Sequence, residues 1–184
     1  MALWLHIGGT EAKEGWKILN IAPAAHVDFV GDCRSLPQFA DNSVERIYAS
    51  HVYEHLGHTS ELDGALKEAM RVLVPGGLLQ ISAPDLETIA RIIVDPKSTW
   101  RDHYFVGSVI FGLQTDAHDF HKVGLTHKLL AAYLRHAGFS DIRRVEPFKL
   151  FDDWSGRHIY GRLVSLNMEA RKPTSPAGRK ATEG

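Results

Sequence analysis

Apolar residues fall in short runs along this chain, most of them stopped by glycine or proline. "ALWLHIGG" (2–9) is a run of strand length closed by two glycines. "WKILNIAP" (16–23) predicts a second strand ending at Pro23, "VDFVGD" (27–32) a short third, and "RIYAS" (46–50) a fourth. The pattern then changes period. Leu62, Leu66, Ala69 and Leu73 fall on one helical stripe with Glu61, Lys67, Glu68 and Arg71 facing away; Ser60 and Asp63 suit a capping box, and Pro75-Gly76-Gly77 suits a stop. "LLQISAP" (78–84) is nearly all apolar, as expected of a strand covered on both faces. "DLETIARIIVD" (85–95) predicts another helix. "THKLLAAYLRHAG" (126–138) predicts a further one, with Thr126 as N-cap and Gly138 as stop. "DIRRVEPF" (141–148) and "YGRLVSLNMEA" (160–170) read as late strands.

Strands alternating with helices predict an α/β domain: a doubly wound, mostly parallel sheet of Rossmann-like type over residues 1–171. The first crossover is shortened. A parallel crossover takes at least about 10–12 residues, and the gap between the first two runs cannot hold a helix. Residues 96–125 are less regular and rich in aromatics and histidines, as in a lid or insertion. The stretch 172–184, mixing Pro, Gly, Ser and charge without an apolar face, is expected to be a disordered tail.

Composition narrows the function classes. A formal net charge of -1 gives no general attraction for nucleic acid or anionic lipid. The single cysteine, Cys33, excludes an internal disulfide and a cysteine-based zinc cluster. The opening residues lack the basic region of a signal peptide, and no apolar run approaches the roughly 20 residues of a membrane span. A cytoplasmic protein, monomer or homodimer, acting without nucleic acid or membrane, is expected.

The stretch "YASHVYEHLGH" (48–58) contains His51-x-x-Glu54-His55, a pattern shared with zinc peptidases. Imidazoles at i and i+4 converge on one ion only when the segment is helical. Here the pattern follows a strand directly and meets Gly57 at once, so a metal-dependent hydrolase using His51 and His55 is the least favoured reading. In open α/β sheets ligands sit outside the C-terminal strand ends, which makes His51 a crevice residue. Glu54 is placed to hold a ring nitrogen of a neighbouring histidine. The chain has 11 histidines. Asp116, His118, Asp119, His121 and His127 concentrate in one polar segment without strict ligand spacing; a lid over the pocket is favoured there, and no metal site is expected.

Longer motifs carry a family resemblance. "SVERIYASHVYEHL" (43–56) followed by "KEAMRVLVPGGLLQISAPD" (67–85) resembles the class I S-adenosylmethionine-dependent methyltransferases, in particular compact bacterial members of the type-11-like group. "GDCRSLPQFADNSVERI" (31–47) and "HKVGLTHKLLAAYLRHAGFSDI" (121–142) are similar to further stretches of that family. The resemblance implies in-line transfer of a methyl group from S-adenosylmethionine to a small-molecule acceptor. It implies a cofactor site in which Gly8 and Gly9 form the close-approach turn and Asn20 and Ile21 meet the ribose. Asp32, Cys33 and Arg34 would surround the adenine, with Ser50 and His51 beside the methionine or methyl path. His121 and His51 are the implied catalytic residues, and His55, Asp119 and Lys122 the implied acceptor contacts. A binding or regulatory protein that keeps the fold without catalysis is the alternative.

Overall fold

The computed structural model describes residues 3–174. Its centre is a seven-stranded sheet built from β1 (Trp4–Ile7), β2 (Trp16–Asn20), β3 (Phe29–Val30), β4 (Val44–Ser50), β5 (Leu73–Pro84), β6 (Ser140–Arg144) and β9 (Ser165–Arg171), in the order β3-β2-β1-β4-β5-β9-β6. The first five strands run parallel, while β9 pairs antiparallel with both β5 and β6. A two-stranded hairpin, β7 (His158–Ile159) with β8 (Arg162–Leu163), lies apart. The expected Rossmann-like, mostly parallel α/β architecture is present. No helix lies between β1 and β2.

One sheet face carries the main core. Leu5, Ile7, Leu19, Ile47, Ala49, Leu79 and Ile81 pack against Leu62, Leu66 and Ala69 of α1 (Glu61–Val72) and Leu130 and Leu134 of α4 (His127–His136). The opposite face over β1, β2 and β4 is covered by a loop and aromatic rings instead of a helix. His6 and Phe151 lie 4.0 Å apart between centroids, and Phe151 stacks on Tyr48 at 5.4 Å. Farther along this face polar groups link across the sheet. Arg46 Nε donates to Gln80 Oε1 at 2.7 Å, and Gln80 Nε2 donates to Glu169 Oε1 at 2.9 Å.

Three local details differ from the sequence reading. Ser60 makes no side-chain cap to α1; Glu61 folds back and accepts from the Gly57 amide at 2.7 Å, while Asp63 pairs with Lys67. Leu73-Val74-Pro75-Gly76-Gly77 is the entry to β5, with Gly76 at φ 80, and does not form a loop after the helix. Inside the irregular segment there is a helix, α3 (Trp100–Phe111), opened by a capping box between Thr99 and Asp102. Its apolar residues mark no continuous stripe. Val106 and Val109 pack on Ile89 and Ile92 of α2 (Leu86–Ile93), while Trp100 and Tyr104 stand exposed. The Thr126 cap is present and accepts from the Leu129 amide at 3.2 Å. Of the expected tail, residues 172–174 are described, and Lys172 Nζ donates to Leu73 O and Asn42 Oδ1, both at 2.7 Å; residues 175–184 lie outside the described residues.

Candidate cofactor cleft

Chain direction creates the site. From β1 the chain moves to β2 and β3 on one side, then returns to lay β4 on the other. The loops after β1 and β4 therefore diverge and leave a crevice at their C-terminal ends. A cavity of about 260 Å³ opens there. Gly8, Asn20, Ile21, Asp32, Cys33, Arg34, His51 and His55 line it, and His118, Phe120 and Lys122 reach it from the segment after α3.

Gly8 turns the chain at φ 74, and its amide donates to Leu19 O at 2.8 Å, tying the turn to β2. A Cβ on Gly8 would stand 2.5 Å from Val52 Cγ2, so only glycine fits between the two loops. Gly9 does not border the cavity; its carbonyl accepts from Asn20 Nδ2 at 3.2 Å, and Asn20 Oδ1 accepts from the Ala22 amide at 3.2 Å. Asp32 acts within its own turn. Its carboxylate accepts from the Arg34 amide at 2.8 Å and from the Arg34 guanidinium at 2.6 Å and 2.9 Å, and this guanidinium holds it below the usual carboxylate range. Burial, reinforced by Asp32, pushes the Cys33 thiol up to about 12, which leaves a neutral wall atom and no thiolate nucleophile.

The lip of the cleft is the turn after β4. Tyr53–His55 forms a single 3-10 turn, and His51 sits in the left-handed region at φ 55. Such a conformation in a non-glycine residue is uncommon and gathers at functional sites. Its amide donates to Ser82 O at 2.8 Å, and its Nε2 lies 3.1 Å from Ser165 Oγ. Ser165 Oγ already donates to Trp154 O, so it accepts from His51. The other ring nitrogen, Nδ1, stands 3.0 Å from Glu54 Oε1. Glu54 is 1% exposed. Burial acts to raise its pKa, yet the charge and hydrogen bonding of His51 outweigh it, with a further contribution from His121, and the net direction is downward.

His121 does not border the cavity. Its ring packs edge-on against His55 at 4.6 Å, and its Nδ1 lies 2.9 Å from Val109 O. Burial holds it below the ordinary histidine range. Asp119 accepts from the Thr115 amide and hydroxyl and shapes its own loop. Lys122 Nζ reaches Glu61 at 3.2 Å. Ser50 faces a separate hollow of about 130 Å³, with His6, Thr10, Glu11, Phe151 and Trp154; Gly8 and His51 border both spaces. His51 and His55 do not converge: one meets Glu54 and Ser165, the other His121. Sequence reasoning missed Val52, whose methyl closes on Gly8, and Ala117 and Phe120 of the segment after α3. Periodicity holds no signal for contacts between separate loops.

Residues 11–81 match the family described as "Methyltransferase domain". The chain has the fold of the class I S-adenosylmethionine-dependent methyltransferases. It is similar to the CurJ carbon methyltransferase, at 12% identity and a TM-score of 0.56, over 94% of this chain and 48% of that one. Human N-acetylserotonin methyltransferase, solved in complex with SAM, is similar at 16% identity and a TM-score of 0.54, over 94% of this chain and 48% of that one. The [4+2]-cyclase SpnF is similar at 18% identity and a TM-score of 0.54, over 95% of this chain and 76% of that one. Thus the chain spans about half the length of these two methyltransferases. No curated protein matches the sequence significantly. The methyltransferase match makes S-adenosylmethionine the cofactor against which the cleft is judged. Among the described residues, no helix is long and apolar enough to cross a membrane.

Proposed function

We propose that this methyltransferase-fold protein binds S-adenosylmethionine in the 260 Å³ cleft and catalyses methyl transfer to a small-molecule acceptor. The observation that carries the reading is the cradle at Gly8. The turn after β1 approaches Val52 so closely that a Cβ is excluded, and Gly8 borders the crevice. That suits close contact with a cofactor. Asn20 and Ile21 would hold the ribose side. Cys33 and the aliphatic stem of Arg34 would flank the adenine, with Asp32 fixing Arg34. Bound there, the cofactor supplies a methyl group on a sulfonium centre.

His51 stands where the cleft and the smaller hollow meet. The acceptor is assigned to that hollow, where His51 can orient it. Its ring is held at both nitrogens, by Ser165 and Glu54, so its direction is fixed before any ligand arrives. Most of the rate would come from orientation, which contributes up to about 7–11 kcal/mol in well-aligned reactions. Cytoplasmic location and action without nucleic acid or membrane belong to the same proposal.

One observation favours a second reading, a non-catalytic binding protein. Both oxygens of Asp32 and both polar atoms of Asn20 are already engaged by neighbouring protein groups. Calorimetric titration with S-adenosylmethionine and S-adenosylhomocysteine tests the first reading. Saturable one-site binding in the micromolar range supports it. No heat and no thermal stabilisation at millimolar ligand would overturn it.

A further inference from the structure

We propose that Glu54, His55 and His121 form a binding site for one divalent cation of the zinc(II) class, which fastens the segment after α3 to the lip of the cleft. The three side chains come from two places far apart in sequence, the turn after β4 and the segment after α3. Each offers a ligand atom, and the three atoms lie within 4.8 Å of one another. Two imidazoles and a carboxylate are a donor set that suits zinc and its neighbours.

Unpartnered atoms point the same way. Glu54 is buried, and neither of its oxygens has a well-aligned hydrogen-bond partner, Oε1 having only its ion-pair contact with His51; His55 Nδ1 is buried without a partner. Buried polar atoms are seldom left so, and a cation would satisfy both. The supporting contacts are already placed. His121 Nδ1 donates to Val109 O at 2.9 Å, which leaves the Nε2 lone pair for a metal. Such a carbonyl partner commonly orients a ligating histidine. His51 occupies the Oε1 side of Glu54, leaving Oε2 for the ion. Within that 4.8 Å span, rotation of the two rings can bring the three atoms to the spacing of a tetrahedral site with bonds of about 2.0–2.2 Å.

Binding would join segments that already touch. The Lys122 amide donates to Glu54 O at 2.7 Å. His55 and Lys122 both line the cofactor cleft, so the ion would hold its rim shut. Three protein donors leave one position for water.

The test is calorimetric titration of zinc(II) into chelator-stripped protein, with the cobalt(II) visible spectrum as a second readout. One equivalent bound at micromolar affinity or tighter is expected, with His121→Ala weakening it by more than about 100-fold. His118→Ala, which alters the same segment outside the cluster, should leave it unchanged. Zinc should also slow proteolysis within residues 112–122. Absence of saturable binding, equal affinity in His121→Ala, or cleavage unaffected by bound zinc would overturn the proposal. Should His121→Ala fail to fold, the near-isosteric Glu54→Gln decides by the same titration. Titrating S-adenosylhomocysteine into the metal-free protein reads the cofactor proposal separately.

Discussion

His51 Nδ1 lies 3.0 Å from Glu54 Oε1, and the carboxylate is buried whereas the imidazole keeps 20% of its side-chain surface. The pair is therefore asymmetric: Glu54 has no access to water, and His51 is its nearest compensating group. Removing one partner of a buried pair leaves the other uncompensated and costs about 3–5 kcal/mol. His51→Ala is expected to destabilise the protein by about 3 kcal/mol for that reason. Adding Glu54→Gln to it should recover much of the loss. Urea unfolding of the two single variants and the double variant measures this; simple additivity would contradict the pairing.

Gly8 gives a second cycle. Gly8→Ala combines a left-handed backbone with a Cβ 2.5 Å from Val52 Cγ2. A cost of about 1–3 kcal/mol is expected from the backbone conformation, with the clash added. Val52→Ala should relieve the clash and not the conformational part. Partial rescue of thermal stability in the double variant, with cofactor affinity still reduced, is the expected result.

Tyr53 is fully buried, and its hydroxyl has no hydrogen-bond partner. Leaving such a group unsatisfied costs about 1–3 kcal/mol. Tyr53→Phe is thus expected to leave stability unchanged or to raise it. A clear drop in melting temperature would show that the hydroxyl has a partner in solution.

His6 contributes a pH dependence in the same direction as the buried His121. Burial lowers its pKa from 6.5 to about 4, against an opposing pull from Asp153. The unfolded chain therefore binds the proton more readily than the folded one. Stability from this group is full above pH 6.5 and is lost as pH falls towards 4, by about 3 kcal/mol in all at 1.36 kcal/mol for each pH unit. His6→Leu should flatten the dependence of the unfolding midpoint on pH between those values. An unchanged slope would assign it to another group.

Asn20→Ala removes an amide that spans Gly9 and Ala22 and faces the cleft. A loss of about 1 kcal/mol, close to a fivefold to tenfold rise in the dissociation constant for S-adenosylhomocysteine, is expected from one neutral hydrogen bond. Calorimetry on the wild type and the variant provides the comparison.

Much of this fold is legible in local pattern. Runs such as "LLQISAP" and the stripe through Leu62, Leu66 and Ala69 record which faces are buried, and burial is what periodicity encodes. The cleft's place was also readable, because Gly8-Gly9 and Ser50-His51 close two parallel strands whose ends must border a crevice. Helix α3 was not, since its aromatics are mostly exposed and its two buried valines leave too faint a stripe. The capping box at Ser60 was a false signal: Glu61 found the Gly57 amide through a turn that pattern does not describe.

The sequence by itself determined the alternation of strand and helix, the short first crossover and the glycine turn, because each depends on residues near one another in the chain. Only the tertiary structure decided what the "HVYEH" stretch does. Whether His51 meets His55 or Glu54 depends on the left-handed turn that follows β4, and whether His55 meets His121 depends on how the segment after α3 folds back over the sheet. Those contacts join residues distant in sequence, and the packing that brings them together is a property of the whole fold.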